Sequence, residues 1–115
     1  MSTVLAVAVY LVLFVADPAH DGHADALRAA ARSVPGAGFF DDTTDDVQRT
    51  VGAYLRTDDP AGAPAAALVA AVGAVGKRLA TRFEVQYAEA VVGHLHDGRP
   101  DAGVARMLGD IPEAP

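Results

Sequence analysis

Five side chains of this 115-residue chain have types that suit the binding of a small polar molecule: Tyr10, Tyr54, Arg56, His94 and His96. An arginine guanidinium pairs with a carboxylate through two parallel hydrogen bonds, and a histidine exchanges a proton near neutral pH. Strand alternation would bring the five to one end of one sheet face. We therefore predict a ligand-binding site there. The open alternative is that they form the rim of a protein interface without a ligand.

The four histidines also raise the question of a metal site. His20 and His23 flank a predicted helix start, whereas His94 and His96 lie on a predicted strand at the other edge of the fold. Each pair alone supplies too few ligands for a closed coordination sphere. We predict no metal and no cofactor, and we expect these histidines to lie in solvated loops or at strand ends. The absence of cysteine excludes disulfides and thiolate ligands.

The composition limits the classes of partner. The chain carries 15 acidic and 9 basic residues, a formal net charge of −6. Nucleic-acid binders cluster lysine and arginine on one face, so nucleic acid is not an expected partner. No Lys or Arg precedes the first apolar run, as it would in a secretory signal, and the run is too short to cross a bilayer. We expect a cytoplasmic protein with no membrane partner.

That apolar run, residues 3–16, is rich in valine and leucine. Such a segment is typical of a strand buried on both faces at the centre of a sheet. Each of its two faces must then be covered by another part of the protein or by a partner. We expect Tyr10, Val12 and Phe14 to face one way, and Leu11 and Leu13 the other.

The remaining segments alternate between helix and strand patterns. Apolar spacing predicts a short helix with Leu27 on its inner face and a long one from Leu68 to Phe83. Strands are predicted around Phe39 and Phe40, over 47–57 and over 84–96, with a turn in the Asp-rich tract 41–46. Asp101 is expected to cap a last short helix. Residues 1–109 then form one domain, and 110–115 a frayed tail.

This β-α-β-β-α-β order resembles the ferredoxin-like superfold. The resemblance implies an α+β fold with a four-stranded antiparallel sheet of order 4-1-3-2. It places two long helices on one face and adds a short C-terminal helix. The uncovered face would expose the apolar central strand, and large exposed apolar patches mark interfaces.

We therefore expect a homodimer through the open sheet face. Proteins of the dimeric α+β barrel group, which this architecture resembles, hold small organic molecules between paired sheets, and a small organic ligand is expected here. Two alternatives stay open. One is an interaction or structural module without a ligand. The other is a cofactor-free isomerase, cyclase or oxygenase in which His94 or Tyr54 acts as acid or base.

Overall fold

The computed structural model describes residues 9–16, 21–45 and 48–109. The predicted strand positions 3–8, His20 and the tail 110–115 lie outside these residues. The elements follow one another as β1 (Tyr10–Ala16), α1 (Asp21–Arg32), β2 (Ala37–Asp45), β3 (Gln48–Arg56), α2 (Ala63–Leu79), β4 (Phe83–Tyr87), β5 (Ala90–His96), β6 (Arg99–Pro100) and α3 (Ala102–Leu108).

The described strands form one antiparallel sheet of six strands in the order β2-β3-β1-β4-β5-β6. The α+β class is confirmed, but the predicted four-stranded sheet of order 4-1-3-2 is wrong. The segment predicted as one strand over 84–96 is a hairpin of β4 and β5, with Tyr87 opposite Ala90. Its turn contains Ala88 at φ 61. Alanine rarely adopts positive φ, so nothing in the residue types indicated a turn there.

Strand β1 lies at the centre of the sheet and separates two unlike environments. It pairs with β3 on one side and with β4 on the other, with Leu13 opposite both Ala53 and Val85. Leu11 and Leu13 are 0% exposed, whereas Val12 and Phe14 are only partly buried. The predicted division of this strand into two faces is confirmed for residues 10–16.

The buried face of the sheet packs against all three described helices. A single core joins Leu11 and Leu13 to Leu27 of α1, Leu68 of α2 and Val104 of α3. The predicted inner faces of α1 and α2 are therefore confirmed. No helix in this described part of the chain is long and apolar enough to cross a membrane.

The long helix is shorter than its apolar spacing predicts. Ala80 takes a left-handed conformation, φ 51, and its N–H donates to the Gly76 carbonyl, which ends α2 at Leu79. Phe83, predicted as the last inner residue of that helix, instead begins β4 and is fully buried. An apolar residue four positions after Leu79 continues a helical pattern, but it serves a buried strand equally well.

His23 lies inside the protein, so its predicted place in a solvated loop is wrong. It is 4% exposed, and its Nε2 lies 2.5 Å from Thr81 Oγ1. The Thr81 hydroxyl lies 3.2 Å from the Leu79 carbonyl, to which it donates. Thr81 Oγ1 is then the acceptor and His23 Nε2–H the donor. This contact joins the first turn of α1 to the segment before β4.

The Asp-rich tract 41–46 is predicted as a hairpin turn. Strands β2 and β3 do form a hairpin, but residues 41–45 are strand, and Asp46 lies outside the described residues. Asp41 and Asp42 belong to β2, which continues to Asp45. Arg49 on β3 holds Asp41 from two sides, with Nε to Oδ1 at 2.9 Å and Nη2 to Oδ2 at 2.7 Å. These hydrogen bonds hold the pKa of Asp41 below its usual value. Cross-strand pairing with arginine outweighs the turn preference of aspartate.

Candidate functional site

None of the described helices packs on the second face of the sheet, which we call the helix-free face. It carries a shallow open cavity of about 510 Å³. We call its lining the aromatic surface: Tyr10, Val12, Phe40 and Tyr54. The four residues come from three adjacent strands, β2, β3 and β1. Strand alternation brings them to this face because their neighbours Leu11, Leu13, Ala53 and Leu55 are in the core.

Two reciprocal glycine–aromatic pairs build the floor of this surface. On the paired strands β2 and β3, Gly38 is opposite Tyr54 and Phe40 is opposite Gly52. A Cβ on Gly52 would fall 2.6 Å from Phe40 Cζ, and a Cβ on Gly38 would overlap the Tyr54 ring. Each ring therefore lies across the bare backbone of its glycine partner, as in aromatic rescue of glycine.

The ring of Tyr54 contacts the other two rings of this surface. Tyr10 and Tyr54 meet edge to face, with centroids 6.0 Å apart and planes at 66°. Phe40 and Tyr54 are tilted by 40° at 6.3 Å. Edge-to-face pairs are favourable because the positive ring edge meets the negative ring face. Tyr10 remains 41% exposed, so part of this ring cluster is available to a ligand or a partner.

Arg56 stands at the rim of the aromatic surface. It is opposite Tyr10 in the β1–β3 register and its side chain is exposed. Within residues 9–16, 21–45 and 48–109, no carboxylate forms an ion pair with it. Arg56 therefore supplies a positive charge beside an apolar, aromatic floor.

His94 lies elsewhere on the sheet. It is opposite Glu84, which is opposite Phe14. Phe14 is four residues from Tyr10 along β1, or roughly 13 Å at the usual strand rise. His94 Nε2 lies 3.8 Å from Glu84 Oε1, and Nδ1 lies 3.6 Å from Asp101 Oδ2. Both ring nitrogens therefore face carboxylates rather than the aromatic surface.

His96 belongs to a different cleft. Its Nδ1 lies 3.5 Å from Asp97 Oδ2, and the residue lines an open cavity together with Lys77, Asp97 and Arg99. The structure thus brings Tyr10, Tyr54 and Arg56 together and leaves both predicted histidines outside this group. A ligand-binding role for these five residues stays a prediction.

Sequence reasoning missed two members of the aromatic surface, Val12 and Phe40. Phe40 was assigned to a strand but not to a site. The spacing of Gly38 before Phe40, and of Gly52 before Tyr54, is the pattern that could have placed these rings. Once β2 and β3 form a hairpin, that spacing makes each glycine the partner of an aromatic residue.

Asp101 holds the end of β5 to the start of α3. Its carboxylate accepts hydrogen bonds from the backbone N–H of Val104 at 3.1 Å and of His94 at 2.9 Å. The predicted cap is therefore confirmed. Burial raises the pKa of Asp101, but hydrogen bonds from the backbone N–H groups of Val104, His94 and Gly103 outweigh it and hold the pKa below its usual value.

No group of three or more His, Cys, Asp or Glu side chains in the described ranges is arranged to hold a metal ion. Comparisons of the chain with models of protein families, with curated proteins and with solved structures found no match. Two cavities in the described part of the chain have linings that suggest a ligand: the one over the aromatic surface and the one that His96 lines with Lys77, Asp97 and Arg99.

The substitution Gly52→Ala tests the glycine–aromatic floor. Its Cβ would fall 2.5 Å from the Leu13 carbonyl oxygen and 2.6 Å from Phe40 Cζ. Because a backbone oxygen in the sheet cannot move aside, we expect a loss of about 1–3 kcal/mol in unfolding free energy. Gly22→Ala is the matched control, since a Cβ there meets nothing within 4 Å. In α1 it should stabilise by up to about 1 kcal/mol. Equal effects in urea titrations would contradict the floor geometry.

The pH dependence of unfolding tests the Asp101 contacts. A carboxyl with a lowered folded pKa stabilises fully above its unfolded pKa, about 3.9, and loses that contribution as the pH falls through the folded value. Asp101→Ala should cost about 1 kcal/mol at pH 7, as loss of an N-cap does. Asp101→Asn keeps a side-chain oxygen but cannot titrate, so it should lose less stability than wild type between pH 5 and about 3. Identical acid sensitivity of wild type and Asp101→Asn would refute this assignment.

Proposed function

We propose that this protein is a homodimer that holds a small aromatic molecule with a negative charge between the helix-free faces of its two sheets. The observation that carries the proposal is the open cavity of about 510 Å³ over Tyr10, Val12, Phe40 and Tyr54. Sites for small molecules are commonly cavities of about 300–1,000 Å³ with mostly apolar linings and few polar groups.

Aromatic character in the ligand follows from the lining. Three rings form the floor, with Tyr54 in contact with both of the others, and they offer both ring edges and ring faces to a planar molecule. A negative charge on the ligand follows from Arg56, which stands beside Tyr10 at the rim. A guanidinium pairs well with the planar oxygens of a carboxylate or sulfonate.

A second copy of the chain is needed because the cavity is shallow. A small-molecule site usually buries about 70–90% of its ligand, which one open sheet face cannot do. Apolar side chains extend beyond the cavity on the same face, where Val91 is 53% exposed and its cross-strand partner Gln86 is opposite Val12. A second sheet laid over this face would cover both the cavity and Val91. The dimeric α+β barrel group, which the sequence resembles, pairs its sheets in this way.

The geometry favours binding over acid–base chemistry at this surface. A general base must lie within hydrogen-bond reach of the proton that it removes. His94 lies two strands away from β1, across β4, and its ring faces Glu84 and Asp101. The alternative of an isomerase, cyclase or oxygenase would have to rely on Tyr54 alone.

Tyr10→Asp tests the dimer. We expect wild type to sediment as a dimer and Tyr10→Asp as a monomer, because burial of a carboxylate between apolar faces carries a desolvation penalty of several kcal/mol even with Arg56 opposite it. Tyr10 is 41% exposed in the single chain, so the variant should still fold. Ala70→Asp adds the same charge on the exposed side of α2 and should leave the dimer intact. A monomeric wild type, or a dimer that tolerates Tyr10→Asp, would contradict the proposed interface.

Binding of 8-anilinonaphthalene-1-sulfonate, an aromatic anion, tests the ligand class. We expect saturable binding to the native protein, weakened about three- to tenfold by Arg56→Gln through loss of a charge-assisted contact. Arg32→Gln removes the same charge from the last turn of α1 and should change the affinity less than about twofold. A dimer that does not bind the probe would support an interface without a ligand. Equal weakening by both variants would contradict a role for Arg56.

A further inference from the structure

A second cavity lies at the other side of the fold, where the β5–β6 hairpin meets α2. It has a volume of about 520 Å³, and Lys77, His96, Asp97 and Arg99 line it. Lys77 comes from α2, His96 from β5 and Arg99 from β6. We propose that this cleft, the Lys77 cleft, binds the phosphate group of a small phosphate ester.

The cleft is built on a close contact between backbones. The turn residues Asp97 and Gly98 both have positive φ, 53° and 77°, which is typical of a tight two-residue hairpin turn. A Cβ on Gly73 of α2 would lie 3.0 Å from the Gly98 carbonyl oxygen, and a Cβ on Gly98 would lie 3.0 Å from Lys77 Cβ. The hairpin therefore lies directly on the helix, and this contact fixes Lys77 relative to the strand residues.

The charges in the cleft favour an anion. Lys77 and Arg99 form no ion pair with any carboxylate in the described part of the chain. Two cations line this cleft although the chain as a whole is acidic. Its net charge is −6, and Lys77 is its single lysine. Asp97 is the acidic member of this lining, and its Oδ2 lies 3.5 Å from His96 Nδ1.

The arrangement of donors distinguishes a phosphate from a carboxylate. A carboxylate presents two oxygens in one plane, and a single arginine satisfies both. Here an ammonium from α2 and a guanidinium from β6 line the cleft from separate elements. A phosphate monoester carries three acceptor oxygens that diverge and a charge of about −1.5 to −2 at neutral pH, so it can accept from both cations at once through different oxygens.

This site goes beyond the proposed function and does not depend on it. None of its lining residues belongs to the aromatic surface. A monomeric protein, or one without an aromatic ligand, would keep the Lys77 cleft unchanged, because one chain supplies every residue in it. A result that contradicts one of the two proposed sites therefore leaves the other proposal intact.

Amide chemical-shift titration of the full chain with methyl phosphate, at constant ionic strength and pH 7.5, tests the site. We expect saturable shifts at residues 96–99. Lys77→Gln and Arg99→Gln should each weaken binding at least about fivefold, as loss of one charge-assisted contact does. Arg78→Gln, which removes a neighbouring charge outside the cleft, should weaken it less than about twofold. Native dispersion of the spectrum shows that each variant is folded.

Asp97→Asn should strengthen the binding of methyl phosphate, whereas the previous variants should weaken it. Asparagine accepts the positive φ of the turn, and the substitution removes the negative charge in the cleft. Binding of methyl phosphate should tighten by about two- to fivefold, whereas Asp58→Asn, on an exposed loop, should have no effect. Equal weakening by Arg78→Gln and Lys77→Gln, or the absence of saturable shifts, would overturn the site. Acetate that binds as tightly as methyl phosphate would overturn the phosphate assignment.

Discussion

In the part of the chain that the structure describes, helices cover only one side of the sheet, and the rest of this structure depends on that constraint. Burial of Leu11 and Leu13 beneath α1 and α2 anchors β1 at the centre of the fold. Strand geometry then requires Tyr10, Val12 and Phe14 to face the other way, where no described helix packs. The apolar residues needed for a central strand thus create an apolar face that no described helix covers. The aromatic surface follows from this asymmetry, and the proposed dimer depends on it.

Within that face, the glycine–aromatic pairs shape the cavity that we propose for a ligand. Gly38 and Gly52 remove two side chains from adjacent strands, and the rings of Tyr54 and Phe40 lie in the space left over them. A flat sheet surface becomes a shallow cavity with a rigid aromatic floor. The same principle of close backbone approach acts at Gly73 and Gly98, where the lack of side chains lets a hairpin meet a helix. In both places, a glycine without a side chain allows other groups to approach closely.

The elements that sequence reasoning predicted correctly have short-range causes. The inner face of α1 around Leu27 follows from helical spacing, the capping role of Asp101 from its position before a helix, and the two faces of β1 from alternation. The errors arise where tertiary contacts override local preference. Ala88 turns a predicted long strand into a hairpin, and His23 is drawn into the interior by Thr81. The His23–Thr81 contact joins residues 58 positions apart, and the residue type of Ala88 gives no turn signal, so a pattern of neighbouring residues indicates neither.

By itself, the amino-acid sequence determined the α+β class, the central place of β1, and the residue types available for binding, because periodicity and composition act locally along the chain. Only the tertiary structure decided which of those residues meet. Strand register placed Arg56 beside Tyr10, whereas the β4–β5 hairpin carried His94 towards Glu84 and His96 towards Lys77. Register depends on how strands and turns fit together across the whole sheet, and a shift of one residue reverses the face of every side chain in a strand.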